Sequence, residues 1–223
     1  MGYADLSTRI SIRWLPDAAS EPTDTLVLNV GSYFMDFRVL KSDISIEWAF
    51  AGQREIISQD PLKCRWIHVI DSNGAPAVPD QGSFSKLPNG DDLEVGAMPC
   101  AEKNGEVTSY EEIWRVVKPS ISPGQPLAWI LQSSEDGKVF IGRIGGTYMA
   151  MVQTERGFGA RREEWESESK KWKGKYAMGE VEGCASLVGG DGSELDGEEG
   201  WSVGCKVELK GTEYVVRAWE KLE

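Results

Sequence analysis

With 36 acidic against 24 basic side chains in 223 residues, the chain carries a formal charge of -12, so its average surface repels phosphate and anionic lipid head groups and argues against nucleic acid and membrane as partners. Hydrophobic residues at 40% and charged residues at 27% exclude a disordered chain. They supply enough apolar surface for one large β domain or two small ones. Cys64, Cys100, Cys184 and Cys205 stand far apart without the C-x-x-C spacing of a zinc or redox site, and read as ordinary buried thiols. A single histidine leaves no His-based metal site, and neither a metal nor a nucleotide cofactor is expected. The first residues lack a basic start and an apolar run, and no stretch approaches the roughly 20 apolar residues that span a bilayer. Gly2 invites a myristoyl reading, but Leu6 stands where that signal wants Ser or Thr. A cytoplasmic location is the default expectation.

Alternation of period two, with β-branched and aromatic residues between turn formers, predicts strands along most of the chain. A first series covers 8–15, 25–30, 33–40, 44–50, 55–58, 63–71, 93–98 and 112–117. A second covers 126–132, 138–144, 147–154, 161–166, 173–182, 201–209 and 213–221. Residues 163–173 could instead form a helix, because Glu166 and Lys170 sit at the favourable i, i+4 spacing. Segments 72–92 and 189–200, rich in Gly, Pro and acidic residues, read as long surface loops. The prolines between the two series mark a linker. The predicted organisation is therefore a first barrel over 1–118, a linker over 119–126 and a second barrel over 127–223.

The two series also resemble each other. Trp14 matches Trp129 and Tyr33 matches Tyr148 at one shared offset, and Glu47-Trp48, Val95-Gly96 and Trp114 find partners in Glu164-Trp165, Val203-Gly204 and Trp219 in the same order. Matches that keep their order predict an internal duplication, each half an antiparallel barrel of its own.

Glu47-Trp-Ala-Phe-Ala-Gly52, followed by a polar turn, and then Ser109-Tyr-Glu-Glu-Ile-Trp114 resemble the fungal Hri family. Val139-Phe-Ile-Gly-Arg143 is similar to the Gly-Arg strand of that family's second half, with Ile144 where the family pattern has an aromatic residue. The resemblance implies tandem lipocalin-like β-barrels and no established catalytic residues. It also implies association with a casein-kinase-1-type protein kinase, and paralogues recruited into biosynthetic pathways.

Each residue that could carry chemistry has a structural reading beside the functional one. Trp14, Trp48, Trp66, Trp114, Trp129 and Trp219 could line a calyx, but interior positions of small barrels are usually filled, so core packing takes precedence. Glu47 precedes Trp48 in a strand and points the other way, which makes it a rim or surface carboxylate unless desolvation fits it for proton transfer. Asp36 and Arg38 share a face with Phe34, opposite Tyr33, Met35 and Phe37. The plainer reading solvates the charged face, whereas an inward one would make Asp36 with Arg38 a polar ligand anchor. His68 shares a face with Cys64, Trp66 and Ile70, pointing inward; a hydrogen-bonded structural histidine takes precedence over a proton carrier. The glycines of 142–146 and 157–159 read as turns or close approaches, the acidic segment 191–196 as solvated loop, and Arg156, Arg161 and Arg162 as charge paired with Glu163 and Glu164. No Ser/His/Asp set with recognisable spacing is present.

The leading expectation is a cofactor-free tandem barrel that binds a small hydrophobic molecule in its first half. Tyr33, Trp48, Trp66 and Trp114 would be its walls and Arg38 its polar contact. If it reacts, the chemistry is acid/base isomerisation, rearrangement or cyclisation, with His68, Asp36 and Glu47 as proton carriers. The rival is a non-enzymatic interaction protein that recruits a kinase through its outer surface.

Overall fold

The computed structural model describes residues 3–121, 123–124 and 126–222; Gly2, and Ser122 and Gln125 of the expected linker, lie outside them. Eight strands, β1 (Ala4–Trp14), β2 (Thr23–Val30), β3 (Tyr33–Leu40), β4 (Ile46–Gln59), β5 (Leu62–Asp71), β6 (Asp80–Lys86), β7 (Asp92–Cys100) and β8 (Glu106–Val117), close into an antiparallel barrel. Closure is made by β1, which pairs with both β2 and β8. Strand β6 falls inside the segment expected as loop. Its polar Asp80-Gln-Gly-Ser-Phe-Ser-Lys86 carries little β-propensity, and it is a strand because β5 and β7 each offer it a free edge.

The second half holds β9 (Leu127–Ser133), β10 (Val139–Ile144), β11 (Thr147–Thr154), β12 (Gly157–Glu166), β13 (Lys171–Gly179), β14 (Lys206–Leu209) and β15 (Thr212–Lys221). They form one antiparallel sheet in the order β13-β12-β11-β10-β9-β15-β14. The all-β expectation holds, and this order repeats that of the first barrel with the sixth strand missing. In its place the segment between β13 and β14 is folded into short 3-10 turns at Val181–Gly183, Ser193–Leu195 and Glu198–Gly200, and the two edge strands are not paired with each other. The helix alternative for 163–173 gives way to the β12–β13 hairpin, with Lys170 at φ 50 in its turn. The strand expected over 201–209 is reduced to β14.

Strand pairing also corrects the internal match. The β2–β3 and β10–β11 hairpins both turn through a glycine at φ 57, Gly31 and Gly145, a backbone conformation that suits glycine in two-residue turns. Val30 faces Tyr33 and Ile144 faces Thr147, so Tyr33 corresponds to Thr147, and Tyr148 to Phe34. The sequence match was one residue out, which in a strand exchanges the two faces.

That exchange decides the architecture. Phe34, Asp36 and Arg38 point into the first barrel, where they line its cavity. Met35, Phe37 and Val39 point outward, and with Leu28, Ala49 and Ala51 they pack on Ile130, Phe140, Met149, Met151 and Ala160 of the second sheet. The solvated reading of Asp36 and Arg38 is therefore overturned: both are buried inside the barrel, and its outer face is covered by the other half. At about 1.5–3 kcal/mol per fully buried large apolar side chain, this seam holds the halves together. A Cβ on Gly142 would meet Met35 Sδ at 2.8 Å and Leu28 at 3.4 Å, so glycine there lets the two sheets approach. At the seam's margin Asp24 takes Arg162, Lys175 and the Tyr176 hydroxyl, and Gln153 Oε1 accepts the Asp71 backbone N–H.

The interior of the second half is packed by Leu127, Trp129, Leu131, Ile141, Tyr148, Trp172 and Tyr214. Arg143, of the Gly-Arg strand, is fully buried there opposite Glu198. Ile144 belongs to the seam between the halves.

Candidate functional site

The interior of the first barrel contains a cavity of about 280 Å³, near the lower end of the range for small-molecule sites. Phe34, Trp48, Phe50, Trp66, Phe84 and Trp114 supply its aromatic wall. Tyr3, Arg54, Leu62, Lys86 and Asp92 stand around one end of it, where β1, β5 and β7 begin and β4 and β6 finish. Arg54 lies over the Tyr3 ring at 4.4 Å.

Two β-bulges aim the side chains deeper in. Arg38 pairs with Trp48 but Val39 with Ile46, which leaves Glu47 as an extra residue. Glu47 is solvent-exposed at this bulge, yet enough protein surrounds its carboxyl to raise its pKa, against the pull of Arg38 and Arg9. In β5, Ala51 pairs with Ile70 but Gly52 with His68, so Val69 is extra. His68 stays on the inner side with Cys64 and Trp66 while Ile70 is turned out into the seam. Simple alternation put Ile70 inside; the bulge moves it.

Arg38 donates from Nε to Asp36 Oδ2 at 3.0 Å and from Nη2 at 2.7 Å, and its guanidinium lies over Trp48 at 5.0 Å and Phe50 at 5.4 Å. Arg9 donates to Glu112 at 2.6 Å, to Glu21 at 2.8 Å and to Thr23 at 3.1 Å. Glu112 also lies 3.7 Å from Arg38. Buried charges here are matched one against another, as a low-dielectric interior demands.

His68 bridges two carboxylates, with Nδ1 at 2.6 Å from Asp71 Oδ2 and Nε2 at 2.9 Å from Asp80 Oδ2, and it stacks on Phe50 at 4.2 Å. Asp71 also accepts the Trp48 indole N–H at 2.7 Å. Burial alone would lower the histidine, but the hydrogen bonds to Asp71 and Asp80 outweigh it and raise its pKa to about 8. The folded pKa exceeds the unfolded value of about 6.5, so the stabilisation is complete below pH 6.5 and is lost as pH rises through 8. With the side chain 1% exposed, it amounts to roughly 2 kcal/mol. Urea unfolding between pH 6 and 9 is expected to show wild-type stability falling by that amount while His68→Gln stays level. A level wild-type profile would place the imidazolium elsewhere.

A further group was not foreseen. Glu94, 4% exposed, accepts the Tyr110 hydroxyl at 2.8 Å and the Trp114 indole N–H at 2.9 Å, one on each carboxyl oxygen. Burial first, and the neighbouring Glu112 carboxylate second, hold it well above the usual carboxylate range. The backbone makes room for it. A Cβ on Gly82 would lie 2.3 Å from Glu94 Oε1, and one on Gly96 would lie 2.5 Å from the Tyr110 hydroxyl; the two glycines face each other across β6 and β7. The available sequence signal was the run Tyr110-x-Glu112-x-Trp114, which puts a carboxylate between two aromatic residues on one strand face.

Of the residues expected at the site, Asp36, Arg38, Trp48, Trp66 and Trp114 line the cavity, and His68 stands behind Asp80 in its wall. Tyr33 does not: it packs at the outer seam and its hydroxyl accepts from Gln53, while Phe34 takes the inner place. Among the described residues no group of three or more His, Cys, Asp or Glu is arranged to hold a metal ion, and no helix is long and apolar enough to cross a membrane.

Fold and site together define an all-β protein whose first half is a closed antiparallel barrel around an aromatic, carboxylate-rich cavity, buttressed by a packed second sheet. The chain belongs to the family described as Protein HRI1, whose model matches residues 5–217. Among solved structures it is similar to an uncharacterized protein from Saccharomyces cerevisiae, with 16% identity, a TM-score of 0.73, and coverage of 97% of this chain and 99% of that one. At that identity the likeness speaks for the fold alone. No curated protein matches.

Proposed function

We propose that the first barrel binds a small amphipathic metabolite, with its apolar body against Trp48, Phe50, Trp66 and Phe84 and its polar group at Glu94. The observation that carries this reading is the space that Gly82 and Gly96 leave for a buried carboxyl and a tyrosine at the cavity wall. A barrel built only for stability fills its interior with apolar side chains, whereas this one keeps a cavity of about 280 Å³ and clears backbone room for a carboxyl in its wall. The first half keeps an aromatic-walled cavity in its interior, whereas the interior of the second is filled by Trp129, Tyr148, Trp172 and Tyr214 and its pocket lies to one side, against the turns around Leu195 and Glu198. This favours a ligand over a purely adaptor role in which the outer surface associates with a casein-kinase-1-type kinase.

Should the bound molecule be isomerised, rearranged or cyclised, Glu94 is the better proton carrier. Both ring nitrogens of His68 are engaged by carboxylates, Asp36 is held by Arg38, and Glu47 stands at the exposed bulge. Burial and the nearby Glu112 carboxylate make the Glu94 carboxyl hold its proton more firmly than a surface carboxylate does, and it can give that proton up to a basic atom.

Native mass spectrometry of protein purified from its source tests the reading. A retained small molecule is expected, and it should be lost in Leu62→Trp, which narrows the cavity from a half-exposed position. Protein free of any adduct, or an adduct that Leu62→Trp keeps, would count against a ligand in this barrel. With a substrate in hand, Glu94→Gln is expected to lower turnover at least about 100-fold, and unchanged turnover would remove Glu94 from the chemistry.

A further inference from the structure

Resting on that reading, we infer that the ligand carries a basic nitrogen, an amine or aza-aromatic group, which seats against Glu94 as a cation. The inference follows from the pairing of charges around the cavity. Asp36 is matched by Arg38, Glu112 by Arg9, Asp80 by His68 and Asp92 by Lys86. Deep in the barrel Glu94 is different, because the side chains bonded to its two oxygens, Tyr110 and Trp114, are both neutral donors. Asp5, among the residues around the open end, likewise has the neutral donors Asn29 and Tyr3. Among the described residues Glu94 is thus the carboxyl deep in the cavity whose bonded side chains include no cation, which leaves the place of its counter-ion to a ligand.

An anionic ligand would meet Glu94, Glu112 and Asp80 together, and the one guanidinium deep in the cavity, Arg38, is already taken by Asp36 and the faces of Trp48 and Phe50. A cation beside Glu94 would instead gain a charge-assisted hydrogen bond in a low-dielectric site and lie near the Trp114 indole. The proton balance is simple. A free base that meets the carboxyl in its protonated form takes that proton onto the nitrogen lone pair and leaves an ammonium–carboxylate pair. A molecule that arrives already as ammonium displaces that proton to solvent.

Isothermal titration calorimetry of the full chain with tryptamine, its neutral alcohol analogue indole-3-ethanol and its anionic analogue indole-3-acetate tests this, with phenethylamine and its counterparts as a second matched set. The amines are expected to bind at least about tenfold more tightly than the alcohols, and the carboxylates more weakly still. Repeating the titration between pH 5 and 8 in buffers of different ionisation enthalpy should reveal a proton released on amine binding over the range in which the empty carboxyl is protonated. Glu94→Gln should erase both the preference and the release. Alcohols or carboxylates binding as tightly as the amines would overturn the inference and leave the ligand cavity standing. A molecule retained from the source that lacks a basic nitrogen would do the same. No binding by any member, together with adduct-free protein in the mass spectrum, would overturn both.

Discussion

Arg38→Met is expected to destabilise the chain by about 3–5 kcal/mol, among the largest costs of any single substitution in the first barrel. Methionine keeps much of the volume between Trp48 and Phe50, so the loss is electrostatic. Asp36, only 4% exposed, gives up the guanidinium that holds both its oxygens, and Glu112 loses the second of its two nearby cations. Desolvated carboxylates without a counter-ion cost several kcal/mol, whereas an apolar pair of similar shape costs little. The double variant Arg38→Met with Asp36→Leu should therefore be more stable than Arg38→Met alone. Urea unfolding followed by tryptophan fluorescence measures all three free energies, and a double variant less stable than the single would show that the pair is not the source of the loss.

Glu198→Ala is expected to cost a similar amount, on the order of 3–5 kcal/mol, through the second half. Glu198 comes from a 3-10 turn in the segment that replaces the sixth strand, and it reaches in from there. Its carboxylate faces the fully buried Arg143 and accepts the Trp129 indole N–H at 2.6 Å, while its backbone oxygen accepts the Trp219 indole N–H at 2.9 Å. One residue thus fastens an irregular segment over the interior of the sheet. Glu199→Ala, at the exposed neighbouring position, should stay within about 0.5 kcal/mol of wild type. Ligand binding in the first barrel, where Glu198 makes no contact, should survive at temperatures where Glu198→Ala remains folded. Equal stabilities for the two alanine variants would refute the anchoring role.

Much of this was legible in the sequence, and what was missed follows a pattern. Strands β1 to β5 were readable because Val, Ile, Trp, Phe and Tyr alternate between clear turns, and the tryptophans pointed to barrel interiors. Strand β6 was not, since a strand of Gly, Ser, Asp and Gln is specified by the neighbours that pair with it rather than by its own preferences. Tyr33 was chosen as a wall and Phe34 is one, because a match shifted by a single residue reverses the faces. Ile70 was placed inside and lies outside, because nothing local announces a bulge at Val69. Glu94 escaped notice because a glutamate in a strand reads as solvent-exposed until the glycines across from it are known to be its neighbours.

By itself the sequence determined that this is an all-β chain of two similar halves, that aromatic side chains would gather inside, and that its charges would alternate with apolar residues along the strands. Only the tertiary structure decided which face of those strands is the interior. Alternation distinguishes two faces but carries no label for water, and the apolar face of β3 could be buried outside its own barrel because a second sheet lies against it. The polar face was thereby turned inward, where Asp36, Arg38, Glu112 and Glu94 surround a cavity instead of meeting solvent.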